Sequence, residues 1–150
     1  MNKFILDLGV SFNKVFLLIS AFLMPIKPLL LTVGFFIILD TIFAIYRSYK
    51  IGIEITSRRF SGVISKMFLY QIVVISAFIL EKIILTDFIY GVVNIDLFLT
   101  KLVALVLISN ELKSLDENYK ILYRESLWEK AKKLLKRGIS IKKEIQDYEN

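Results

Sequence analysis

Apolar residues gather in four runs, and the pattern stops at Lys113. The first run covers residues 3–24. Its second half, 15–24, is almost purely apolar, whereas its first half carries Asp7, Ser11, Asn13 and Lys14. A helix needs about 20 apolar residues to cross a bilayer, so the apolar half alone is short. Either a crossing or an amphipathic helix at the interface fits it. Pro25-Ile26-Lys27-Pro28 then breaks the helix, and Pro28 suits the first turn of the next one, where its missing N–H costs nothing. The second run, residues 29–46, reads LLLTVGFFIILDTIFAIY and is long enough to span; its one charge is Asp40. Tyr46 and Tyr49, beside Arg47 and Lys50, fit an interfacial aromatic belt.

Residues 47–66 form a polar connection with five basic side chains (Arg47, Lys50, Arg58, Arg59, Lys66) against Glu54 alone. Gly52 marks a turn, and Thr56 or Ser57 is placed to cap the next helix. The third run, 67–85, is mildly interrupted by Gln71, Ser76, Glu81 and Lys82, and Thr86-Asp87 is expected to end it. A short loop over 88–96, with Gly91 and Asn94, leads to the fourth run, 97–112, whose apolar centre is 102–108 and which carries Lys101 near one end. Beyond it, ten Lys/Arg and seven Asp/Glu lie between positions 113 and 150. Leu127, Ala131, Leu134, Leu135, Ile141 and Ile145 recur at helical spacing there, and Gly138 is expected to end the first tail helix as a C-terminal cap.

The pattern therefore predicts an all-α integral membrane protein. Three to four transmembrane helices (residues 1–112) precede a charged, amphipathic helical tail (residues 113–150). Basic residues collect on the cytoplasmic side of membrane proteins. The 47–66 connection and the tail are rich in them, whereas the opposite-side loops offer Lys27, Asp87 and Asp96. The connection and the tail are thus expected in the cytoplasm, in a multi-pass protein of the cytoplasmic membrane. The first run lacks a small-residue cleavage site followed by a soluble domain and is expected to be retained.

Composition sharpens this picture. Hydrophobic residues make up 56% of the 150 positions and mean hydropathy is +0.64, against about 45–50% apolar in soluble domains. The formal net charge of +6 suits the flanks of spanning helices better than a nucleic-acid surface. In the tail the charges nearly balance and are not interleaved with aromatic residues, so no nucleic-acid partner is expected. With neither cysteine nor histidine, disulfides, thiol nucleophiles, Cys/His metal sites and Ser-His or Cys-His catalytic pairs are excluded. No cofactor or metal is implied, and no enzyme.

Asp40 is the most informative single residue, because a carboxylate inside a spanning helix is costly. It should face other helices, pair with a cation or be protonated, and Lys66 is a candidate partner. Structural packing and a role in gating both remain open for it. Glu81-Lys82 and Lys101 read as side chains reaching to the interface. Ser61, Gly62 and Ser65 form a small-residue patch of the kind that lets helices approach closely. Asn110, Glu111, Ser114, Glu117 and Asn118 form a polar cluster: Asn110, Ser114 and Asn118 share one helix face at i, i+4, i+8, and Glu111, Ser114 and Glu117 follow at i, i+3, i+6. With no nucleophile or metal ligand beside them, a helix-exit and oligomer-contact role is expected.

Three pieces together resemble the phage holin family related to toxin-secretion and phage-lysis holins. They are Asp40 near the end of the second apolar run, the basic connection TSRRFSGVISK, and the stretch ISNELKSLDEN. The family's Ser, Gly and Lys in the connection map to Ser57, Gly62 and Lys66. Its I-x-N-E-x-x-S-x-x-E-N stretch maps to Asn110, Glu111, Ser114, Glu117 and Asn118. The similarity covers residues 15–125. The chain departs from the pattern at Ile42-Phe43-Ala44, where the family has a Gly shortly after the intramembrane Asp. The resemblance implies a protein that oligomerises in the host cytoplasmic membrane and opens it at a set time. Its partners would be the lipid bilayer, further copies of itself and an endolysin that it need not touch. The residues alone leave room for an accessory or structural membrane protein: a scaffold, a transport-complex subunit, or a virion protein inserted at genome entry.

Overall fold

A computed structural model describes residues 2–54 and 56–149, with the side chains at 2–12, 58, 59, 87, 90, 92 and 142–149 outside the description. The expectations for Asp7, Ser11, Arg58, Arg59, Asp87 and Ile145 as side chains therefore lie outside the described residues. The chain is all-helical, and among the described residues there are no strands. Helix α1 spans Asn2–Leu23, α2 Lys27–Ile51, α3 Ser57–Leu80, α4 Thr86–Val92, α5 Phe98–Tyr123 and α6 Leu127–Glu149. Two stretches are long and apolar enough to cross a membrane, Asn13–Ile51 and Phe60–Leu85.

Local chemistry explains the joints. Pro25 tightens Met24–Ile26 into a 3-10 turn, and Pro28 falls in the first turn of α2. At the other end of α2, Gly52 adopts φ +75°. The Ile53 N–H donates to the Ser48 carbonyl at 3.0 Å and the Gly52 N–H to the Tyr49 carbonyl at 3.4 Å. This is a Schellman closure, which needs a left-handed residue and so favours glycine.

Two expected helix ends are corrected. Thr86-Asp87 does not stop the third helix: a π-helical turn over Glu81–Leu85 runs on into α4. The Thr86 hydroxyl donates back to the Glu81 and Lys82 carbonyls, at 2.9 and 2.8 Å, and so serves the widened turn it was expected to end. Nor does Gly138 cap a helix, since α6 continues through it to Glu149. Glycine is tolerated in a helix interior at a propensity cost, and the apolar period on either side of it is unbroken. α5 likewise runs without interruption past Lys113 to Tyr123.

The chain forms two compact units. The first comprises residues 1–34 and 67–106. Its core is Ile26, Val33, Val74, Phe78 and Ala104, with the Phe22 and Phe78 rings 5.2 Å apart and the Gln71 amide donating to the Leu30 carbonyl at 3.0 Å. The second comprises residues 35–66 and 107–150. Its buried apolar residues are Ile37, Leu115 and Tyr119, and Asp40, Ser48, Glu111 and Asn118 are also buried. In each unit many large apolar side chains point outward, Leu18, Leu31 and Leu105 in the first, Phe35, Ile42 and Ile64 in the second.

Candidate functional site

In the second unit, buried Asp40, Glu111 and Asn118 form one network with half-buried Arg47 and Lys66. On α2, Asp40 and Arg47 are seven residues apart, two turns along one face. On α5, Glu111 and Asn118 repeat that spacing, with Leu115 buried between them. Lys66 comes from α3. Its ammonium donates to Glu111 Oε2 at 2.6 Å and stands 3.5 Å from Asp40 Oδ2. The other Asp40 oxygen accepts from the Asn118 amide at 3.1 Å, and the Asn118 oxygen accepts from Arg47 Nη1 at 2.9 Å. An amide suits this middle position because it donates and accepts at once.

Two cations and two carboxylates are thus gathered where Glu111 is only 1% exposed. Burying such groups is costly unless each is paired and its remaining lone pairs and protons are satisfied. Here the pairing is incomplete. Glu111 Oε1 and Arg47 Nε are buried without a hydrogen-bond partner among the described residues. Beside the network lies a cavity of about 250 Å³, lined by Asp40, Thr41, Ala44, Phe60, Gly62 and Lys66 among others.

Of the residues singled out in the sequence, the structure joins Asp40, Lys66, Glu111 and Asn118 directly. Gly62 is exposed on α3 and borders the cavity. Ser114 is half-buried. Asn110 and Glu117 are exposed on α5, and Ser57 is exposed at the start of α3. The buried face of α5 therefore runs Glu111, Leu115, Asn118 rather than along Asn110 and Glu117. Arg47 was seen only as one of the basic residues of the connection, although its spacing of seven from Asp40 was a legible signal.

A second buried carboxylate lies in the first unit. Glu81 is 5% exposed, which corrects its reading as a side chain reaching to the interface. Its Oε1 accepts from the Leu99 N–H at 3.1 Å; its Oε2 accepts from the Thr100 N–H at 2.9 Å and from the Thr100 hydroxyl at 2.5 Å. It thereby caps the start of α5, where first-turn N–H groups have no helical partner and the helix dipole favours negative charge.

The junction of α5 and α6 is also built from side chains. Asp116 Oδ1 accepts from the Ser126 hydroxyl at 2.8 Å and from the Leu127 N–H at 2.7 Å, fixing the start of α6. Lys130 donates to the Tyr119 hydroxyl at 2.6 Å and lies over the Tyr119 and Tyr123 rings. The hydrogen bond to Tyr119 raises the affinity of Lys130 for its proton above the ordinary lysine value. A hydrogen bond with Tyr46 raises that of the Tyr123 hydroxyl, and Glu125 raises that of Lys133.

Among the described residues no cluster of three or more Asp, Glu, His or Cys could hold a metal ion. The network joins segments of three helices through charge and hydrogen bonds. The profile of the bacteriophage holin family matches the chain over residues 17–137, which includes every residue of this network. No curated protein and no solved structure matches it.

Proposed function

Because the chain belongs to the bacteriophage holin family, whose members permeabilise membranes and are not enzymes, we propose that it oligomerises in the host cytoplasmic membrane and opens it, so that an endolysin can reach the cell wall. The observation that carries this reading is the family match over residues 17–137. Two membrane-compatible stretches and the outward-facing apolar side chains support it, since such surfaces suit lipid or other membrane helices. In this reading residues 1–112 cross the bilayer three to four times and residues 113–150 form a tail on the cytoplasmic side, the side that the basic bias favours. Asp40, Lys66, Glu111 and Asn118 hold the protomer closed. Ser57, Gly62, Asn110, Ser114 and Glu117 are the small and polar groups left for contacts between copies.

Induced expression in a bacterium should collapse the membrane potential abruptly after a delay, and cells should lyse only when an endolysin is present. Normal growth with the protein abundant in the membrane would overturn the proposal. Topology has its own test, because the chain has no native cysteine. A single cysteine at position 59 or 140 should resist an impermeant reagent added outside the cell.

A further inference from the structure

Helix α6 presents a surface that the proposed function does not use. At about 100° per residue, Leu127, Trp128, Ala131, Leu134, Leu135 and Ile141 fall on one side of it. Only the first turn is turned toward α5, where Leu127 and Ala131 are half-buried beside a cavity of about 620 Å³. Beyond that turn the apolar side is uncovered: Leu134, Leu135, Ile139 and Ile141 are all exposed, Leu135 at 67%, and Trp128 beside the junction is 72% exposed. The opposite side is basic. Residues 127–141 carry Lys130, Lys132, Lys133, Lys136 and Arg137 against Glu129, a net +4. Lys130 and Lys132 stand at the two borders of the apolar sector, where a long aliphatic stem can lie along apolar surface while its ammonium reaches outward.

We propose that α6 lies flat on an anionic phospholipid surface, its apolar side sunk among the acyl chains and its lysines and arginine at the headgroup phosphates. The inference rests on the membrane location of the chain but not on its ability to open the membrane. Three features select this occupant. A tryptophan at the edge of the apolar side is the residue type that settles at the boundary between headgroups and hydrocarbon. A net positive charge meets the negative potential of the cytoplasmic leaflet. Pairing with α6 of a second copy is disfavoured by charge. In a parallel pair the residues flanking the Leu127–Ala131–Leu134 seam are Lys130 and Arg137 on one side and Trp128 and Leu135 on the other, so no opposite charges meet. Asp116 and Lys130 fix the root of the helix, so the surface is presented at a set angle to α5.

Trp128 is the chain's one tryptophan, so intrinsic fluorescence reports on α6 directly. The full chain would be reconstituted into vesicles of phosphatidylcholine, with or without phosphatidylglycerol, containing acyl chains brominated near the headgroup. In phosphatidylglycerol vesicles Trp128 emission should be blue-shifted and mostly quenched. Quenching should fall severalfold in pure phosphatidylcholine and in about 1 M salt, where charge is screened within a few ångströms. The double variant Leu134→Gln/Leu135→Gln should lose the quenching in both lipids. Lys132→Gln/Lys136→Gln should lose only its dependence on phosphatidylglycerol. Water-exposed, unquenched emission in every vesicle would overturn the proposal, as would equal quenching with and without anionic lipid. Quenching that appears only when the protein is diluted into excess lipid would assign the surface to a second copy and overturn it too. Depolarisation of cells is read separately, so its failure would leave this test standing.

Discussion

The two units bury carboxylates in opposite ways. In the first, Glu81 is saturated: both oxygens accept hydrogen bonds, from two backbone N–H groups and a hydroxyl, at the positive end of α5. No second charged side chain is needed. In the second, Asp40 and Glu111 share Lys66, Arg47 is linked to Asp40 through Asn118, and Glu111 Oε1 and Arg47 Nε have no hydrogen-bond partner among the described residues. The first arrangement fixes one helix start and has nothing left to exchange. The second ties segments of three helices together through long side chains, so the loss of one charge strands the others. Under the function proposed above, the charge-linked joint is the one where opening should be tuned.

The sharpest way to break this comparison is to remove the shared cation. Lys66→Gln leaves Glu111 and Asp40 buried without it. Removing one partner of a buried pair costs about 3–5 kcal/mol. Lys66 is itself 33% exposed, so water screens part of the interaction and a loss near about 3 kcal/mol is expected. Thermal unfolding in detergent should show it, and the time of depolarisation on expression should shift strongly. Asp40→Asn keeps the shape and should move both readouts in the same direction by less. The double variant should add little to Lys66→Gln, because members of one network are not additive. Fully additive effects would reject the pairing.

Glu81 should respond less, and without touching timing. Glu81→Ala leaves the Leu99 and Thr100 N–H groups without their cap, a loss of about 2 kcal/mol by the scale of helix caps. Glu81→Gln retains one accepting oxygen and should recover about half of that. If Glu81→Gln instead delayed or advanced depolarisation as strongly as Lys66→Gln, the two carboxylate sites would not differ in kind.

Much of this was legible in the sequence, for identifiable reasons. A charge inside an apolar run must find a partner, which singles out Asp40 and then Lys66, a cation toward the same, cytoplasmic side of the neighbouring helix. The polar stretch after residue 108 contributed Glu111 and Asn118, but helical spacing alone did not say which of its two possible faces turns inward. That depends on packing: Leu115 is buried, and it carries Glu111 and Asn118 in with it. The burial of Glu81 was not legible because its partners, Leu99 and Thr100, lie 18 and 19 residues away across a loop and two of the three donors are backbone N–H groups, invisible to residue pattern. Thr86 was read as a helix end by its type, whereas its hydroxyl serves the π-helical turn behind it. Gly138 was misread although the contrary signal was present: the apolar period that includes Leu134 runs on to Ile141 without a change of phase.

The two misjudged or confirmed glycines give the smallest and most discriminating pair of tests. The same substitution, glycine to alanine, should have opposite signs at Gly52 and Gly138. At Gly52 φ is +75°, and an added Cβ meets no atom within 4 Å. The cost is therefore purely that of holding an L-residue in the left-handed region, about 1 kcal/mol, and Gly52→Ala should fray the end of α2. At Gly138 an added Cβ also meets nothing within 4 Å, but the residue sits inside α6 with ordinary helical backbone. There alanine improves helix propensity by about 0.8–1 kcal/mol. α6 is largely exposed beyond its first turn, so the gain is expected in local opening rather than in global unfolding. Amide hydrogen exchange on either side of position 138 should slow by roughly fourfold in Gly138→Ala, the factor that such a free energy implies. A faster exchange there would mean that Gly138 closes a helix after all, as its residue type first suggested, and α6 would have to be read as two shorter helices with a turn between them.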